Sequence, residues 1–127
     1  MKPATREWVD KAEADYAAAL LLRRSRKRFS RDIVCFHLHQ CVEKYLKARL
    51  TEAGIGFPKT HDLELLLNLT LTAQPLWVAL RPAVVAITDY AVEVRYPGRT
   101  TTPAEARDVL RLAARIRSMA RDGLGLS

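Results

Sequence analysis

Cysteine is scarce in this chain, with only Cys35 and Cys41 among 127 residues. They lie six positions apart in what reads as one helix, too far for a mutual bridge. A disulfide scaffold is thereby excluded, and a reducing cytoplasm is the expected compartment. Long apolar runs are missing too. The longest, Tyr16–Leu22, has seven residues, where a membrane-spanning helix needs about 20. The opening Met1-Lys2-Pro3-Ala4-Thr5-Arg6-Glu7 has no apolar signal segment. No glycine-rich phosphate loop exists, because Gly54-Ile55-Gly56 is short and no Lys-Ser/Thr follows it. Secreted, membrane and fibrous classes are all excluded.

The chain does have an ordinary globular balance, 49% hydrophobic and 28% charged. Its length predicts one domain over residues 1–127, able to bury roughly two-thirds of its unfolded surface without a metal or disulfide. Net charge is +7, and Arg23, Arg24, Arg26, Lys27, Arg28 and Arg31 carry six of those charges with no acid among them. The basic excess is therefore local. Such a cluster is either a solvated turn between helices or a salt-sensitive surface for RNA or a partner protein. Phe29 is its only aromatic residue, which does not make a single-strand stacking platform.

Helical periodicity dominates. Thr5 is a candidate N-cap for a helix reaching about Arg24, with Trp8, Ala12, Tyr16, Ala19 and Leu20 on its apolar stripe and Asp15 beside them. Ser30 is a candidate cap for a second helix ending near Ala53, where Gly54 supplies the stop. Residues Gly54–Thr60 form a loop, and Thr60 opens a short helix to about Leu71. Pro75–Val94 alternates like a strand over part of its length, but a lone strand has no pairing partner here, so helix is predicted, kinked or broken at Pro82. Thr102-Pro103-Ala104-Glu105 opens the last helix with a capping box. The expected fold is all-α, an up-and-down bundle of about five helices.

The second helix is the most informative. An apolar arc of about half its circumference holds Val34, Leu38, Val42, Tyr45, Leu46 and Leu50, and the opposite stripe holds His37, Gln40, Glu43, Lys44 and Lys47. His39 and Arg49 point into the apolar arc. His39 reads as a core histidine. Arg49 needs a carboxylate there, and Asp15 is the obvious partner. Cys35, Cys41, His37, His39 and His61 lack metal-ligand spacing, since His37 and His39 leave a helix about 160° apart. No metal and no cofactor are expected. Arg31 and His37 carry the groups that metal-free RNA cleavage requires, a cation for the charged phosphorane and an imidazole to move a proton.

Trp8, Ala12, Asp15 and Ala19, then Phe36-His37-Leu38-His39-Gln40-Cys41-Val42-Glu43-Lys44-Tyr45-Leu46-Lys47-Ala48, then Pro58-Lys59-Thr60-His61-Asp62-Leu63, then Arg95-Tyr96-Pro97 resemble the HEPN (higher eukaryotes and prokaryotes nucleotide-binding) domain family. The resemblance covers nearly the whole chain, in order. It implies a helical bundle that forms a homodimer or higher homo-oligomer, often paired with a minimal nucleotidyltransferase in toxin–antitoxin systems. It also implies either nucleotide binding or ribonuclease activity through an Arg-x4–6-His motif. In the toxin branch that motif lies on a later helix and precedes a Tyr that the partner enzyme can modify. The corresponding stretch here, Arg95-Tyr96-Pro97-Gly98-Arg99-Thr100-Thr101-Thr102, has no His. The expectation is a non-catalytic module that binds a nucleotide or a nucleotidyltransferase partner. Lys44, Lys47, Lys59, His61, Arg95 and Tyr96 are its candidate nucleotide site. The alternatives are a metal-independent ribonuclease toxin using Arg31 and His37, and an RNA- or protein-binding module acting through Arg23–Arg31.

Overall fold

The structure, a computed structural model, describes every residue except 26, 28, 94 and 95, and at 92 and 93 the backbone only. Among the described residues it holds five α-helices and no strand: α1 (Pro3–Leu22), α2 (Ser30–Ala53), α3 (Leu63–Thr70), α4 (Arg81–Glu93) and α5 (Pro103–Gly123). A 3-10 turn over Pro75–Leu80 leads into α4. Pro82 therefore sits in the first turn of a helix, where its missing N–H costs nothing, and it does not kink a longer one. None of the helices is long and apolar enough to cross a membrane.

The caps explain the boundaries. Thr102 accepts from the Glu105 N–H while the Glu105 side chain accepts from the Thr102 N–H, the reciprocal box that the sequence predicts. Gly54 takes a left-handed φ of 72° and closes α2, a conformation in which any Cβ is strained. Three expected caps move. Pro3, not a residue after Thr5, begins α1, and Thr5 is buried with its hydroxyl on Glu52. Ser30 is the first residue of α2 rather than its cap, and its hydroxyl meets that of Ser25. Asp62 caps α3 through the Leu65 N–H, while Thr60 receives the Asp62 N–H one step earlier.

α2 is the spine, touching α1, α3, α4 and α5. Leu38, Val42, Tyr45, Leu46 and Leu50 are fully buried, against Ala12 and Ala19 of α1, Leu66 and Leu67 of α3, Val84 and Ile87 of α4, and Ala113 and Ile116 of α5. Truncating any one of these larger side chains to Ala costs about 2–5 kcal/mol. His39 is buried as expected of a core histidine. The polar stripe of α2 is also enclosed, with Glu43 at 3% and Lys47 at 6% exposure. α1 covers that stripe, and it does so with a different edge from the one its apolar pattern suggests. Its buried positions are Thr5, Val9, Ala12, Asp15 and Ala19, while Trp8, Tyr16 and Leu20 are only partly covered. The helix is turned so that Asp15 faces α2.

Candidate functional site

The charged groups of α2 fall into three places along its length. Toward the C-terminal end, Lys47 Nζ donates to Glu43 Oε2 at 3.0 Å, an i,i+4 pair in which both members are buried. The other carboxylate oxygen, Oε1, lies 2.8 Å from Nδ1 of His61, which comes from the loop before α3. An ionised carboxylate only accepts, so Nδ1 carries the proton in that contact and Nε2 is left to solvent. Trp8 of α1 and Phe57 of the loop place their rings 5.4 and 6.0 Å from Lys47 Nζ and meet edge-on at 6.3 Å. The ammonium is thus neutralised by Glu43 and roofed by two aromatic faces, which attract a cation.

Beside this pair and reaching toward the N-terminus, Asp15 of α1 takes two partners on α2. Its Oδ1 lies 2.8 Å from His37 Nδ1, and its Oδ2 accepts from Lys44 Nζ at 2.5 Å. His37 and Lys44 are seven residues apart, two turns of helix, so both reach the same face and the same carboxylate. This corrects the expected Asp15–Arg49 pairing. Arg49 follows Lys44 by five residues, about 140° of rotation, and leaves α2 on a different face from the one Asp15 meets. Its Nε is buried without a hydrogen-bond partner among the described residues.

At the N-terminal end, the backbone of Thr101 is held on both sides. Arg31 Nε donates to its carbonyl at 2.7 Å, and its N–H donates to Asp32 Oδ1 at 2.7 Å. These bonds fasten the segment ahead of α5 to the first turn of α2. Beside them, where α1 ends and α2 and α5 begin, a groove of about 330 Å³ opens between Leu22, Val34, Ala106 and Leu110, with Arg23, Arg31 and Arg107 around it.

A further polar knot joins three helices. Arg117 of α5 grips Glu13 of α1 with Nε at 2.7 Å and Nη2 at 2.5 Å, and Tyr45 of α2 donates to the same carboxylate at 2.5 Å. Arg121 adds a bond to the Tyr45 hydroxyl at 3.2 Å. The Arg117 bonds hold the Glu13 carboxyl below its ordinary value. Cys35 and Cys41 are both buried, and burial pushes their thiols up to about 11 and about 12.

Of the six nucleotide-site residues expected from the sequence, Lys47 and His61 are brought together on Glu43, and Lys44 lies on Asp15. Lys59, in the same loop as His61, is exposed. Tyr96 is 66% exposed and belongs to the segment fastened through Thr101. Arg95 lies outside the described residues. The Asp32 anchor and Glu43 are eleven residues apart, about 16 Å along the axis of α2. Arg31 and His37 leave that axis about 120° apart and about 9 Å from each other along it. They turn to different neighbours, Arg31 to Thr101 and His37 to Asp15. Sequence reasoning missed Arg107, one turn into α5. Its only local signal is an arginine four positions after Pro103.

The family model of the HEPN domain matches residues 5–123. No curated protein and no solved structure matches the chain significantly.

Proposed function

The chain belongs to the HEPN domain family, and from that premise we propose that it is a non-catalytic member, a nucleotide-binding or nucleotidyltransferase-partner module of a toxin–antitoxin-type pair. The divergence of Arg31 and His37 carries the reading. A phosphorane must be met by the cation and the proton-transfer group at once, within hydrogen-bond reach of one phosphate. In one protomer Arg31 is bonded to the segment ahead of α5 and His37 to α1.

The module acts as a homodimer in this reading. Phe29, Ile33 and Phe36, spaced i, i+4 and i+7 at the start of α2, are 66%, 44% and 54% exposed. An apolar stripe of this kind is costly in water and fits a second copy of itself. Tyr96, exposed on the segment before α5, is the residue that a nucleotidyltransferase would reach.

Calorimetric titration with ATP, GTP and their monophosphates tests the nucleotide half. Heat of binding without any cleavage of single-stranded RNA supports the proposal. Absence of heat from every nucleotide removes that half. One observation favours a ribonuclease instead: Asp15 orients His37 through Nδ1, as a carboxylate orients a catalytic imidazole. Metal-independent RNA cleavage that disappears in His37→Ala would establish that reading, with Arg31 supplied across a dimer.

A further inference from the structure

The groove between the end of α1 and the starts of α2 and α5 has no role in any cluster described above, and its composition is one-sided. Among the described residues its floor is apolar, formed by Leu22, Val34, Ala106 and Leu110, and its charged lining is Arg23, Arg31 and Arg107 with no carboxylate. None of the three arginines forms an ion pair with a described residue, although Arg81, Arg99, Arg111, Arg117 and Arg121 each do. Three guanidinium groups around one concavity repel one another. A fold that sets them there with no acid among the described lining residues leaves an attractive position for an anion. Arg31 is the most constrained. Its Nε is fixed on the Thr101 carbonyl, which sets the plane of the guanidinium, and its other N–H groups bond no described residue.

We propose that this groove is the binding site for a free nucleoside phosphate, with the phosphates held by Arg23, Arg31 and Arg107 and the base or ribose laid on the Leu22–Val34–Ala106–Leu110 floor. The inference rests on the nucleotide-binding reading and gives it a location other than the Lys44–Lys47–His61 region, whose cations already have carboxylates. Two features define the ligand. Planar guanidinium groups pair phosphate oxygens in bidentate fashion, and the apolar floor distinguishes a nucleotide from a bare phosphate. The volume of about 330 Å³ stands at the lower end of the ~300–1,000 Å³ usual for small-molecule sites. That suits one nucleotide better than a length of strand.

The test compares two charge reversals on one helix. Arg107→Glu removes a groove cation that pairs with no described residue, and Arg111→Glu changes net charge equally but acts on the surface pair with Asp108. Thermal denaturation followed by circular dichroism establishes that both fold. Titration of ATP, AMP and inorganic pyrophosphate into each should show ATP binding at least tenfold weaker in Arg107→Glu. In Arg111→Glu it should stay within about twofold of wild type, and wild type should bind pyrophosphate more weakly than ATP. If wild type and Arg107→Glu bind ATP equally, the groove is the wrong place while the nucleotide-binding reading stands. Equal loss in both variants makes the attraction a general charge effect and overturns the site. Pyrophosphate binding as tight as ATP removes the role of the floor. No binding of any nucleotide by wild type, or binding only of a single-stranded RNA oligomer, ends both the site and the reading beneath it.

Discussion

Glu43 of α2 and His61, at the end of the loop before α3, are joined by a 2.8 Å contact in which the carboxylate is 3% exposed and the imidazole 76% exposed. The buried partner of the same carboxylate is Lys47. Stability and accessibility are thus divided between two bonds of one residue.

That division predicts unequal mutational effects. Glu43→Gln strands the Lys47 ammonium beneath Trp8 and Phe57 with no counter-charge, and should cost about 3–5 kcal/mol. The thermal midpoint should drop on the order of 10 °C. His61→Ala removes only an exposed contact and should cost under about 1 kcal/mol. Circular dichroism melts of the two variants check the contrast, and equal losses would contradict it.

Acid sensitivity should run in part through Glu13. Its folded carboxyl is held below the ordinary value of 4.5 by Arg117 and Tyr45. It therefore adds stability that is fully present above the unfolded pKa and is lost as pH falls through the lower, folded one. Urea midpoints of wild type and Glu13→Gln, measured from about pH 3 to about pH 7, should differ most near neutrality and converge in acid. A constant gap across that range would place the effect in packing rather than in charge.

Gly123 should resist the usual benefit of alanine in a helix, about 0.5–1 kcal/mol. A Cβ there would stand 2.8 Å from Cζ2 of the buried Trp77 ring and 3.2 Å from Gln74 Nε2. Gly123→Ala is expected to destabilise by about 1–3 kcal/mol through overpacking. Gly56→Ala, with nothing within 4 Å of its Cβ, should be close to neutral. Denaturant unfolding of both gives the comparison.

The thiols of Cys35 and Cys41, buried and pushed up to about 11 and about 12, should stay unmodified by a disulfide reagent at neutral pH for as long as the fold holds. Both should react at once in guanidinium chloride. Labelling of one site in native protein, read by mass spectrometry, would reveal local opening of the first half of α2.

The chain's local chemistry was enough to determine where helices begin and end at Thr102, Glu105 and Gly54, that no strand belongs in the described residues 75–93, and that the second helix is central. Those features depend on residues within a turn of one another, and a capping box or a left-handed glycine works the same in any fold. Family membership was legible for the same reason, since Gln40-x-x-Glu43-Lys44 and Lys59-Thr60-His61-Asp62-Leu63 are contiguous patterns. Only the tertiary structure decided which way α1 is turned, and with it that Asp15 serves His37 and Lys44 while Arg49 is left to another face. It also enclosed Glu43 and Lys47, which periodicity assigns to the outer side of α2, because α1 packs over that part of the stripe. The arginine groove was illegible as well, since Arg107 is more than seventy residues from Arg31. Periodicity fixes the phase of a helix about its own axis. What each face meets depends on the packing of helices distant in the chain, and no local pattern encodes that.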